Sequence, residues 1–140
     1  MLYIDTSALL PYYRQEPASQ QVQALFSAQR SPVLISRLTK LELASALARW
    51  VRTGELSEVQ ANRIEAAFNE DCDEGRFIVK ALTGQQFERA NHWLLTRKTA
   101  LRSLNALHLA CAAGNEAILV TGDEALFKAA EFLGLRVRWP

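Results

Sequence analysis

Three carboxylates stand at positions where chemistry is easiest to place. Asp5 comes directly after a short apolar run, Leu2-Tyr3-Ile4. Asp123 follows a second such run, Ile118-Leu119-Val120-Thr121, across Gly122. Glu42 is the sole acid between residues 17 and 54, among Arg30, Arg37, Lys40, Arg49 and Arg52. Each also reads as ordinary structure: Asp5 and Asp123 as helix N-caps, Glu42 as a surface glutamate paired with a base. Brought to one place, the three would repel, and a divalent cation is the usual remedy. Hard oxygen ligands favour Mg²⁺ or Mn²⁺. Such a centre suits displacement at phosphorus, and so phosphodiester hydrolysis, although carboxylates and spacing alone do not establish it.

The elements that must position these groups follow from the apolar pattern. Leu2–Ile4, Val33–Ile35, Phe77–Val79, Ile118–Thr121 and Leu135–Trp139 read as strands. Helical periodicity covers residues 7–29 with a break near Pro17, then 37–53, 57–71, 84–98, 104–113 and 123–133. Ser36 and Ser57 are expected N-caps, and Gly54, Gly114 and Gly134 expected stops. In the helix of Glu42 the expected buried stripe is Leu41, Ala44, Ala48 and Val51, with Glu42 at its border and small Ser45 and Ala46 leaving room beside it. Phe87, Ala90 and Leu94 are the expected stripe of the 84–98 helix. Short apolar strands alternating with helices predict an α/β protein, a three-layer α/β/α sandwich around a parallel sheet. Ligands in such folds sit beyond the carboxyl ends of the strands, where Asp5 and Asp123 fall.

Composition bounds the reading. The chain of 140 residues carries 16 basic and 15 acidic side chains, a net charge of +1, with 49% apolar and 22% charged residues. That is one domain over residues 1–140, and it excludes a protein-wide basic field as the mode of binding nucleic acid. Cys72 and Cys111 have no metal-ligand spacing and read as reduced thiols. No apolar run is long enough to span a membrane, and Asp5 interrupts the place where a signal peptide needs its apolar core. The expectation is a soluble, cytoplasmic protein.

The order and spacing of four segments resemble a known family. They are Tyr3-Ile4-Asp5-Thr6-Ser7-Ala8-Leu9, Thr39-Lys40-Leu41-Glu42-Leu43-Ala44-Ser45-Ala46-Leu47, Leu104-Asn105-Ala106-Leu107-His108-Leu109-Ala110 and Leu119-Val120-Thr121-Gly122-Asp123-Glu124-Ala125-Leu126-Phe127. Leu133-Gly134-Leu135-Arg136-Val137 fits as the ending. Together they are similar to the PIN domain, in particular to VapC-type toxin ribonucleases of toxin–antitoxin pairs. The resemblance implies a five-stranded parallel sheet and a Mg²⁺- or Mn²⁺-dependent endoribonuclease acting on RNA. It also implies a homodimer neutralised by a cognate antitoxin. It carries the metal-binding acids onto Asp5, Glu42 and Asp123, with the fourth catalytic position at Asn105.

Asn105 is where this chain departs, since that position is usually aspartate in the family. Asparagine keeps a carbonyl ligand and loses the charge. The raw Coulomb scale for one unit charge on another is ~4 kcal/mol at ~4 Å and an effective dielectric near 20. Even a third of that weakens metal binding about tenfold. Three accounts are open: a natural and tolerated change, a natural and disabling one, or a substitution introduced to silence a toxic enzyme. The alternative function is therefore a PIN-fold protein that binds RNA or antitoxin without cutting. Asn105 as a plain helix cap is the structural alternative.

The remaining candidates are subsidiary. Thr6, Ser7 and Thr121 are placed to orient the carboxylates or a bound water. Arg97, Lys98 and Arg102 lie in an acid-free stretch leading to Asn105, and with Lys40 and Arg49 they are the candidate RNA-backbone contacts. His108, three residues after Asn105, reads first as a hydrogen-bonded core histidine. Trp50, Trp93 and Trp139 read first as core or interface residues, with RNA stacking as the alternative. An aspartyl phosphatase would need a second aspartate where Ser7 stands. A phospho-acceptor receiver domain would need an acidic pair at Asp5.

Overall fold

The computed structural model describes all residues from Met1 to Pro140. Five parallel strands form the sheet: β1 (Leu2–Ile4), β2 (Val33–Ser36), β3 (Phe77–Lys80), β4 (Ile118–Val120) and β5 (Val137–Arg138). Their spatial order is β3-β2-β1-β4-β5. Seven helices cover the sheet: α1 (Thr6–Tyr13), α2 (Ser19–Ala28), α3 (Arg37–Arg52), α4 (Glu58–Asp73), α5 (Gly84–Thr96), α6 (Ser103–Gly114) and α7 (Glu124–Phe132).

The strands alternate their side chains between two cores, as the two-residue period requires. Leu2, Ile4, Val33, Ile35 and Val120 join the core under α1 to α4, with Leu9, Phe26, Leu47, Trp50 and Phe68. Tyr3, Leu34 and Leu119 join the core under α5 to α7, with Trp93, Leu109, Cys111 and Leu126. The predicted three-layer α/β/α sandwich is thus the observed one. All five strands run the same way, so their carboxyl ends share one rim.

That rim has a switch point. From β1 the chain winds outward through β2 to β3, then returns to lay β4 on the other side of β1. The helix after β1 packs on one face (Ala8, Leu9) and the helix after β4 on the opposite face (Leu126, Ala129). The two connections diverge and open a crevice between the ends of β1 and β4, the usual ligand position in open α/β sheets.

Several local expectations need correction. The expected stripe of α3 is wrong: Leu41 is 68% exposed and Ala44 and Ala48 are exposed, whereas Leu38, Leu43, Ala46, Leu47 and Trp50 are buried. Both sets obey helical spacing, and periodicity alone does not say which of two adjoining apolar faces meets the sheet. Trp93 and Ala90 anchor α5, and Phe87 is exposed. The last strand is only Val137–Arg138, because a short edge strand has one neighbour to pair with. No helix is long and apolar enough to cross a membrane.

Candidate active site

Asp5 is the first residue beyond β1 and only 2% exposed. It caps α1, with Oδ1 accepting from Ala8 N at 3.0 Å. Ser7 Oγ bridges both carboxylate oxygens, 2.8 Å from Oδ1 and 3.0 Å from Oδ2, and Thr121 Oγ1 donates to Oδ2 at 2.6 Å. Burial pushes the Asp5 carboxyl above the ordinary range, against the electrostatic pull of the His108 ring and these hydrogen bonds.

The turn after β4 is tied to the same groups. Gly122 N donates to Ser7 Oγ at 3.0 Å, and Asp123 N donates to Thr121 Oγ1 at 3.0 Å. Asp123 then caps α7, its Oδ1 accepting from Leu126 N at 2.9 Å. Capping and site membership, set as alternatives by the sequence, coexist in Asp5 and Asp123. A cap needs one carboxylate oxygen and fixes the direction of the other.

Glu42 reaches the crevice from α3. Thr6 Oγ1 donates to Glu42 Oε1 at 2.7 Å, and His108 Nε2 hydrogen-bonds the same oxygen. Burial would raise the Glu42 carboxyl, but the hydrogen bonds from His108 and Thr6 and the electrostatic pull of the His108 ring outweigh it and hold it below the ordinary range. His108 is itself 1% exposed, and its Nδ1 meets the Tyr3 hydroxyl at 2.7 Å. That hydroxyl donates to Ser36 Oγ at 2.9 Å, so a buried polar chain runs from β2 through β1 and α6 to Glu42. The spacing of His108 from Asn105 put it near the site. Nothing in the sequence showed that Tyr3, in an apolar strand, would hold it.

Asn105 is the third residue of α6 and does not cap it; the cap position is Arg102, whose side chain makes no capping bond. Asp5, Thr6, Ser7, Glu42, Asn105, His108 and Asp123 together line one cleft of about 400 Å³, with Ser45, Ala46 and Arg49 on its wall. Three carboxylates and the asparagine amide therefore meet at the switch point. Arg97, Lys98 and Arg102 are exposed. Arg97 occupies the left-handed cap of α5 with φ 56°, and Arg102 immediately precedes α6. Lys40 lines a second groove, about 560 Å³, between α3 and α4. Cys72 and Cys111 are free thiols, and burial pushes both up from the usual thiol range.

The cleft offers a nearly all-oxygen donor set, which suits a hard divalent cation. The hydrogen bonds to Glu42 and Asp123 fall on Oε1 and Oδ1, and leave Oε2 and Oδ2 for another ligand. No three histidine, cysteine or carboxylate side chains already stand close enough to hold a metal ion. The donor chemistry fits a divalent cation, while the side chains are turned toward their protein partners.

Fold and site together define an α/β protein with an acidic cleft at the β1/β4 switch point. The sequence profile of the PIN domain matches residues 2–133, and the chain belongs to that family. Its fold is similar to VapC20 of Mycobacterium tuberculosis, a toxin described as cleaving the sarcin–ricin loop, with TM-score 0.71 and 17% identity over 97% of this chain and 99% of that one. It is also similar to VapBC2 of Rickettsia felis bound to a promoter DNA fragment (TM-score 0.73, 16% identity, 100% and 99% covered). FitAcB of Neisseria gonorrhoeae gives TM-score 0.68 at 19% identity, covering 98% and 96%. A sequence comparison with curated proteins finds no match.

Proposed function

We propose that this protein is a toxin-type endoribonuclease that uses Mg²⁺ or Mn²⁺ to hydrolyse RNA phosphodiester bonds and is neutralised by a cognate antitoxin. The observation that carries the reading is the convergence of Asp5, Glu42, Asp123 and Asn105 on one cleft at the carboxyl ends of β1 and β4. Asp5, Glu42 and Asp123 would hold the cation, which supplies charge neutralisation at the scissile phosphate and an acidified water. Ser7 and Thr121 hold Asp5 in place, and Thr6 and His108 hold Glu42. Asn105 offers a neutral carbonyl where a fourth charge would otherwise act. Arg49 on the cleft wall and Arg102 at the start of α6 are the nearest candidates to meet the RNA backbone, with Arg97 and Lys98 beyond them. Similarity to toxin–antitoxin structures supports an antitoxin partner; a homodimer acting in the cytoplasm completes the proposal.

Asn105 favours a second reading, in which the same cleft binds RNA or antitoxin without cutting. The deciding experiment incubates the protein and its Asn105→Asp variant with total cellular RNA, in Mg²⁺, Mn²⁺ and chelator, with Asp5→Ala as the control for contaminating nuclease. Cleavage by both proteins, abolished by chelator and by Asp5→Ala, establishes a working nuclease. Cleavage by the Asn105→Asp variant alone marks Asn105 as a disabling change. Absence of cleavage from both, with RNA or partner still bound, defeats the nuclease reading.

A further inference from the structure

Trp139 lies outside the acidic cleft, and nothing described above uses it. Strand register puts it beside the site. Ile4, Val120 and Arg138 are level across β1, β4 and β5. The next row is Asp5, Thr121 and Trp139, joined by Asp5 N donating to Val120 O at 3.1 Å and Thr121 N donating to Arg138 O at 3.2 Å. Two strand spacings separate the ends of that row, so the backbone of Trp139 stands about 10 Å from that of Asp5.

The indole is stacked on Phe127, with centroids 4.6 Å apart and planes 10° from parallel. Phe127 sits on α7 one turn beyond Asp123, whose side chain caps that helix. Trp50 and Trp93 are buried, whereas Trp139 is 44% exposed despite this stack. One face of the ring is thus backed by Phe127 while the residue remains open to solvent. On α7 beside Phe127, the Glu124 carboxylate is paired with Lys128 at 2.8 Å. A rigid, half-open aromatic suits a flat aromatic ligand such as an unpaired base.

We propose that Trp139, backed by Phe127, is a stacking platform for one unpaired nucleobase of single-stranded RNA whose neighbouring phosphate lies at the acidic cleft. The proposal rests on the ribonuclease reading and deepens it: it selects single-stranded over duplex RNA, because a paired base has no free face to offer. It also gives sequence tolerance at that position, since every base has a π-face.

The test measures binding of a labelled single-stranded oligoribonucleotide by anisotropy in chelator, where no cleavage occurs, for the whole protein and for Trp139→Ala and Trp139→Phe. Stacking predicts about 5- to 150-fold weaker binding for Trp139→Ala and near-original affinity for Trp139→Phe. It also predicts that RNA quenches the intrinsic tryptophan fluorescence, and that Trp139→Phe abolishes the quenching while Trp50 and Trp93 still fluoresce. Unchanged affinity in Trp139→Ala with quenching intact in Trp139→Phe overturns the platform and leaves the ribonuclease reading standing. Unchanged RNA affinity with a smaller sedimenting species assigns the ring to a contact between copies of the chain and overturns it as well. If the unaltered protein neither binds nor cuts RNA, the ribonuclease reading itself has failed, and the platform with it.

Discussion

At Asp5 the demands of folding and of the proposed chemistry run in opposite directions. Its carboxylate is buried, and burial pushes its pKa upward, so the folded protein holds the proton more tightly than the unfolded chain does. Asp5 therefore favours folding below its unfolded value, and that contribution is lost as pH rises through the higher folded value. Glu42 behaves oppositely: its lowered carboxyl stabilises above the ordinary carboxylate range and loses that effect as pH falls through the folded value. Asp5→Asn removes the buried charge while retaining an acceptor for Ala8 N. We expect it to abolish cleavage and yet raise the melting temperature at pH 7 in chelator by roughly 4 °C, the equivalent of about 1 kcal/mol in a domain this size. The gain should shrink as pH is lowered through the Asp5 transition, and a lower melting temperature at every pH would refute the assignment. Asn105→Asp should do the converse. A fourth negative charge in the cleft lowers the melting temperature in chelator. Mn²⁺ then restores it more than in the unaltered protein, with about tenfold tighter metal binding by calorimetry. Equal Mn²⁺ affinity in the two proteins would show that position 105 does not face the cation.

The elements carry a similar division between what the sequence showed and what only packing decides. The strand–helix alternation and the positions of Asp5 and Asp123 just past β1 and β4 were legible, because strand ends and caps are local signals. The face that α3 turns to the sheet was not, because Leu41, Ala44 and Ala48 and the truly buried Leu43, Leu47 and Trp50 satisfy the same spacing. Glu42 was nonetheless placed rightly at a border, since it adjoins both stripes. The hydroxyl of Tyr3 was hidden for another reason: an aromatic in a buried strand gives no sign that its polar end will meet Ser36 and His108 from other elements. That hydroxyl joins β1 to β2 and α6. Tyr3→Phe preserves the ring but leaves the buried His108 Nδ1 without its partner and removes the donor to Ser36 Oγ, at a cost of about 1–3 kcal/mol. Thermal melts should show a loss of several degrees that Mn²⁺ does not reverse, and cleavage should fall because His108 no longer holds Glu42 in one position. An unchanged melt would mean that the Tyr3 hydroxyl plays no part in holding the three elements together.

At the scale of the whole molecule, near-neutrality limits how RNA can be held. A net charge of +1 gives no long-range attraction to a polyanion, and the acidic cleft repels the phosphate it is proposed to act on. Binding must come from a few local cations and from contacts that do not depend on charge. The proposed cations are Arg49 on the cleft wall and the exposed Arg97, Lys98 and Arg102. Four phosphate contacts on a single strand predict a slope of roughly −3 in a plot of log affinity against log salt concentration. Trp139 would add a contribution that salt leaves untouched, so Trp139→Ala should shift that line downward without changing its slope. Arg102→Ala, by contrast, should reduce the slope by somewhat less than one unit. A slope far steeper than −3 would require basic residues beyond this rim, and would point to a second copy of the chain supplying them across a dimer.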